Sequence, residues 1–172
     1  MNYSTLLGAS AALLTAACAS TPLVVPDALR PAANESLATT VGARGVQVYE
    51  CRARKDGAGH EWTFVAPDAD LLDAQGKTIG RHGAGPYWQA ADGSRVVGSV
   101  KARAEAPASG AIPWLLLSTK SSGPTGAFSN VTSIQRVNTV GGIAPATPCT
   151  AQLTGTPARV PYTADYRLFT AH

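Results

Sequence analysis

From Val41 onward, apolar and polar positions alternate one by one, which is the period of a strand rather than of a helix. Val46, Val48 and Glu50 fall on one face of a first strand, and Gln47, Tyr49 and Cys51 on the other. Arg54-Lys55-Asp56-Gly57-Ala58-Gly59 reads as a turn. His60 to Val65 follows as a second strand with Trp62 and Phe64 on one face. Leu71-Leu72-Asp73 and Lys77-Thr78-Ile79 flank Ala74-Gln75-Gly76, a hairpin loop whose glycine tolerates positive φ. Tyr87-Trp88-Gln89 predicts another strand. Asp92-Gly93 is the strongest hairpin signal in the chain, and Arg95 to Ala104 continues beyond it. Ile112 to Ser118 is almost unbroken in its apolar character, as expected of a strand covered on both faces. Phe128, Val131, Ile134 and Val137 recur every three residues, which permits a helix. The β-branched Val131, Thr132, Ile134, Val137 and Thr139 favour a strand there instead. Cys149 to Leu153 and Asp165 to Phe169 predict the last strands. No segment forms a long amphipathic helix. The pattern predicts an all-β single domain, a β-sandwich or barrel-like fold of mainly antiparallel strands.

Composition changes the picture at the amino-terminal end. Met1 to Ala17 carry no charged side chain, and Leu6 to Ala17 form an apolar run too short to span a membrane. Small residues then precede a cysteine, Leu14-Thr15-Ala16-Ala17-Cys18, the layout of an export signal with a small-residue cleavage site. The segment resembles a bacterial lipoprotein box, in which the cysteine is lipidated and heads the mature chain. The leucine stands one place earlier than that box prefers. Ordinary cleavage near Ala17 or Ala19, leaving Cys18 free, is the alternative. Residues 1–17 are therefore expected to be a signal peptide and residues 18–40, rich in Ala, Pro, Ser and Thr, a lipid-anchored or flexible linker with a helical turn near Asn34–Ala38. The β-rich domain is expected over residues 41–172, with little stability contributed by what precedes it.

The remaining composition excludes more than it specifies. The 172 residues are 45% hydrophobic and 15% charged, too apolar for a disordered chain. A net charge of +3 is too mild for a nucleic-acid binder. With Cys18 lipidated, Cys51 and Cys149 remain as an even pair, and an oxidising compartment would join them in a disulfide. Two separate buried thiols are the alternative.

Candidate chemistry is sparse. Gly83-Ala84-Gly85 and Gly57-Ala58-Gly59 lack the third glycine and the helix of a dinucleotide site, so no cofactor is expected. No histidine spacing suits a metal. There is no G-x-S-x-G elbow. Ser118 and Lys120 share a strand face but read as an ordinary strand end. His82, followed by Trp88 and Asp92, is the most suggestive group, because a histidine beside a carboxylate can act as a general base. A strand of about 20 Å from Pro86 to Ala91 works against direct contact between His82 and Asp92. Trp88 is therefore expected in the core and His82 on a local backbone group. The pairs Arg52 with Arg54 and Lys101 with Arg103 each share a strand face and could meet an anionic envelope polymer or lipid headgroups, though such stripes are more often a solvated sheet face.

Several ordered motifs carry a family resemblance. They are Val48-Tyr49-Glu50-Cys51; Trp62-Thr63-Phe64 with Pro67-Asp68-Ala69; Gly80-Arg81-His82 with Gly85-Pro86-Tyr87-Trp88; Ile112-Pro113-Trp114; Ile134-Gln135-Arg136-Val137-Asn138-Thr139; and Val160-Pro161-Tyr162 through Tyr166. From about Gly45 to Phe169 the chain resembles the domain-of-unknown-function 3455 family of exported bacterial and fungal proteins. The resemblance implies an exported, β-rich domain and no established activity. The leading expectation is an exported cell-envelope protein, lipid-anchored or periplasmic, with a non-enzymatic binding or structural role. Its expected partners are the membrane, through Cys18, and an envelope polymer or small-molecule ligand. His82, Trp88 and Asp92 are the candidate ligand-binding residues. The alternative is a small secreted hydrolase-type enzyme using His82 with a nearby carboxylate.

Overall fold

A computed structural model describes residues 23–172. Eight strands follow one another: β1 (Glu35–Ala53), β2 (His60–Leu72), β3 (Thr78–Gly83), β4 (Tyr87–Ala90), β5 (Arg95–Ala104), β6 (Trp114–Ser121), β7 (Val131–Gly141) and β8 (Pro157–Ala171). Each pairs antiparallel with the next, and β8 returns to pair with β1 from Glu35↔Ala171 to Glu50↔Pro157. The sheet is thus a closed up-and-down barrel, the second of the two architectures the alternation allowed. Closure satisfies the outer strands, whose unpaired backbone groups would otherwise invite pairing with another chain. The expected signal peptide and Cys18 lie outside the described residues.

Three local expectations are corrected. Asn34–Ala38 is not helical, because β8 offers a partner strand as far as Ala171 and tertiary pairing outweighs local preference. Cys149–Leu153 is not a strand but a loop ending in a 3-10 turn, Ala151–Leu153. Pro148 cannot donate to a ladder, and Gly155 at φ 80° turns the chain away from extension. The expected linker is also shorter than its proposed boundary, because β1 begins at Glu35 rather than Val41. Ahead of it, Leu29 is completely buried against Trp114, Leu116 and Val137 on the outside of the barrel. Gln135 Nε2 donates to the Leu29 carbonyl at 2.5 Å. The Glu35 carboxylate accepts from Thr132 and Ser133 of β7 at 2.5 and 3.0 Å. Burying one leucine of this kind is worth roughly 1.5–3 kcal/mol. The segment before Val41 is therefore structural, and β6 is covered on both faces as its apolar run predicts.

The inward face of β1 is the Val41, Ala43, Gln47, Tyr49 and Cys51 side, while Val46 and Val48 look outward and stay half-buried. Antiparallel order sends the turns alternately to two ends. The β2–β3, β4–β5 and β6–β7 connections lie at one end, and the β1–β2, β3–β4, β5–β6 and β7–β8 connections at the other. The first end is filled. Val41, Leu71, Val96, Ile134 and Leu168 pack there with Phe128, which the β6–β7 loop folds in as a plug. That loop is held by the β4–β5 turn: Ser94 Oγ accepts from the Phe128 amide at 3.0 Å and Asp92 Oδ2 from the Ala127 amide at 2.8 Å. Trp88 fills the middle. Its ring fits only because β5 carries Gly98, where a Cβ would stand 2.8 Å from Trp88 Cζ3.

The opposite end is braced by a disulfide. Cys51 at the end of β1 joins Cys149 of the β7–β8 loop with their Cα atoms 5.5 Å apart. Trp62 Nε1 donates to the Thr147 carbonyl of the same loop at 2.8 Å, and Tyr49 Oη to the Gly142 carbonyl at 2.6 Å. These bonds hold the loop beside the barrel end without filling the interior.

Candidate functional site: an aromatic cavity inside the barrel

The unfilled end is a cavity of about 530 Å³. It runs from exposed Phe64, Val65 and Val100 at its rim down to buried His82 and Trp88. That volume lies within the range of about 300–1,000 Å³ typical of small-molecule sites. Strand alternation builds its wall. Gln47 and Tyr49 come from β1, Leu115 and Leu117 from β6, Arg136 from β7 and Tyr166 from β8. In the register, Tyr49 faces Phe64 across β1 and β2, and Arg136 faces Tyr166 across β7 and β8.

His82 and Trp88 are direct partners across β3 and β4, and their rings stack with centroids 4.4 Å apart and planes at 19°. Tyr166 meets both edge-on, at 5.0 Å from His82 and 5.3 Å from Trp88. His82 Nδ1 is 2.7 Å from the Tyr87 carbonyl. A carbonyl can only accept, so Nδ1 carries the proton and Nε2 keeps a lone pair. Burial lowers the His82 pKa to about 3; the Tyr87 bond opposes this and the Arg136 charge adds to it. The imidazole is therefore neutral throughout the ordinary pH range.

Two of the three candidate ligand residues thus come together and the third does not. Asp92 sits at the filled end, where Oδ1 accepts from the Ser94 amide at 2.9 Å and Ser94 Oγ at 2.6 Å. The hydrogen bonds to Ser94 and the amide of Ala127 hold its carboxyl below the usual range. It is a turn residue. Among the described residues no carboxylate bonds to His82, so the acid–base pair considered for a hydrolase is not assembled. The basic pairs divide: Arg52 bonds Glu50 at 2.8 Å and Arg54 lies 3.5 Å from both Asp56 and Glu61, ordinary surface contacts, whereas Arg103 lines the cavity. Ser118 Oγ reaches the Ser99 carbonyl at 3.5 Å rather than Lys120.

The polar groups that matter were missed in the sequence. Gln47 is 2% exposed, and its Nε2 has no acceptor among the described residues. Trp88 Nε1 is in the same position. An unpaired buried donor costs about 1–3 kcal/mol, so such groups stand out in a folded protein. Arg136 donates through Nε and Nη2 to the Pro113 carbonyl at 3.1 and 2.9 Å. Gly142, at φ 81°, keeps the loop backbone close to Gln47, where a Cβ would come within 3.1 Å of Gln47 Cγ. The signal for Gln47 was present in the alternation, which sets a glutamine beside Tyr49 and Cys51. Arg136 likewise shares a strand face with Ile134.

Together these features define a closed eight-stranded meander barrel with an aromatic cavity that opens at one end. A family model described as a protein of unknown function, DUF3455, matches residues 31–170, and the chain belongs to that family. No curated protein and no solved structure matches the chain.

Proposed function

We propose that the barrel is a non-enzymatic binding domain that holds one small, largely apolar molecule in its interior. One observation carries this reading: a cavity of about 530 Å³ is lined by aromatic rings and by buried donors that no group among the described residues satisfies. A ligand acceptor would pair Gln47 Nε2 and Trp88 Nε1, and the rings would supply apolar contact. The exposed Phe64, Val65 and Val100 at the rim give such a molecule an apolar path inward. Eight-stranded barrels are wide enough to hold one small ligand.

The proposal includes location. The Leu6–Ala17 run and the Ala16-Ala17-Cys18 step support export, with a lipid on Cys18 tethering the barrel to a bacterial envelope membrane. The Cys51–Cys149 disulfide suits an oxidising compartment.

Titration with N-phenyl-1-naphthylamine, a neutral dye that brightens in apolar surroundings, tests the binding reading. Saturable enhancement is expected, and Leu115→Trp, which fills the cavity, should remove it while the far-ultraviolet spectrum stays that of a β protein. Absence of saturable binding to the wild-type protein would defeat the reading.

A further inference from the structure

We propose that the cavity selects an anionic ligand, a single carboxylate on an apolar tail, with Arg136 as the receptor for the head group. The inference rests on the binding reading above and adds the chemical class.

The argument begins with charge. No Asp or Glu lines the cavity, whereas Arg136 does. On the outside of the barrel, arginines meet acids: Arg81 bonds Asp68 and Asp70, each at 2.6 Å, and Arg159 bonds Asp68 at 2.6 Å. Arg136 has no such partner among the described residues. Its two bonds run to one backbone carbonyl, that of Pro113, which fixes the guanidinium without neutralising it. A guanidinium has five N–H donors in a planar fork; two go to Pro113 and a third is directed at the Tyr166 hydroxyl, so two remain for a bound group, enough for a two-oxygen carboxylate. Its position is central. Arg136 pairs with Leu115 on one side and Tyr166 on the other, and the Arg136 charge acts on His82, Tyr49 and Tyr166.

The second observation is independent of charge. Gln47 Nε2, buried and without an acceptor, lines the same space. Gln47 Nε2, Trp88 Nε1 and the Arg136 guanidinium outweigh the lone pair on His82 Nε2, which matches a head group that accepts. A cation would find no counter-charge there. The apolar side chains that line the same cavity, Leu115, Phe64 and Val100, suit a hydrocarbon or aromatic tail.

Decanoate and 1-decanol have the same chain length and differ in the charge of the head. Each is titrated against the naphthylamine dye bound to the full protein. Decanoate is expected to displace the dye at a concentration lower by about tenfold or more. Arg136→Gln should abolish that preference, and Arg136→Lys, which keeps a charge but not the fork, should retain part of it. If Arg136→Gln loses its β-sheet spectrum, the wild-type preference and Arg136→Lys decide. Equal displacement by the two compounds, with the dye itself binding, overturns the anion inference and leaves the binding reading standing. Failure of the dye to bind defeats both. A preference that Arg103→Gln removes and Arg136→Gln keeps also overturns the assignment, because Arg103 is the other cation at the cavity.

Discussion

The two ends of one barrel interior differ in what their side chains do. At the filled end, Val41, Leu71, Val96, Phe128, Ile134 and Leu168 are all buried and apolar, and a loop supplies Phe128 as a plug. At the hollow end the same strands carry Gln47, Tyr49, Arg136 and Phe64, and the β7–β8 loop is tied to the side by a disulfide and backbone bonds instead of being folded inward. Each strand contributes to both ends, so the fold itself does not demand the hollow. The contrast separates two tasks. Apolar burial at one end supplies stability, and that surplus tolerates unpaired donors and an uncompensated charge at the other.

The contrast breaks most visibly if the plug is removed. Phe128→Ala takes a buried ring out of a packed end and should cost about 3–5 kcal/mol in denaturant unfolding. Dye binding at the far end should survive in the fraction that remains folded. A loss of less than about 1 kcal/mol would mean that the filled end is not the main source of stability.

His82 lies at the boundary between the ends and gives the comparison a pH dependence. The unfolded chain protonates this histidine near its ordinary 6.5, and the folded chain near about 3 because of burial. Between those values the unfolded state binds more protons, so acid favours unfolding. The His82 contribution is complete about a unit above pH 6.5 and is lost as the pH falls from there toward 3. From pH 6.5 to pH 5 the loss should be about 1.6 kcal/mol, the slope rising toward about 1.4 kcal/mol per pH unit at the lower end. His82→Gln, which retains a donor for the Tyr87 carbonyl, should flatten the slope. An unchanged slope in that variant would show that His82 titrates normally and is not sealed between Trp88 and Tyr166.

Most of the barrel was legible in the sequence, and the hollow was not. Alternation located the strands, and Asp92-Gly93 and Ala74-Gln75-Gly76 located two turns, because these signals are local. The even cysteine pair pointed to the disulfide. The apolar stretch Ile112 to Ser118 reads as covered on both faces, and Leu29 is what covers its outer one. Leu29 itself was invisible because a lone leucine among Pro and Ala carries no period. The group of His82, Trp88 and Asp92 was half correct. His82 and Trp88 face each other across a hairpin, while Asp92 is carried to the other end by the length of β4, as the rise per residue warned. Gln47 and Arg136 went unread as a site because they lie far apart in sequence. Their place in one cavity depends on closure of β8 onto β1, a long-range pairing that no local pattern encodes.

The smallest expected effect on stability is the most informative about function. Phe64 is 50% exposed at the rim of the cavity, where its ring meets Tyr49 edge-on at 5.8 Å. Half of that ring is already in water, so truncation forfeits little burial and leaves no enclosed void. Phe64→Ala should therefore cost under about 1 kcal/mol in unfolding, well below a core phenylalanine. Its effect on the dye should be larger in proportion, a severalfold weaker affinity, because the ring forms part of the apolar entrance. A ligand that enters here loses contact with the ring without the fold noticing. Equal affinity in Phe64→Ala and wild type, at equal stability, would mean that the rim takes no part in binding and that the ligand sits wholly among Trp88, Tyr166 and Arg136.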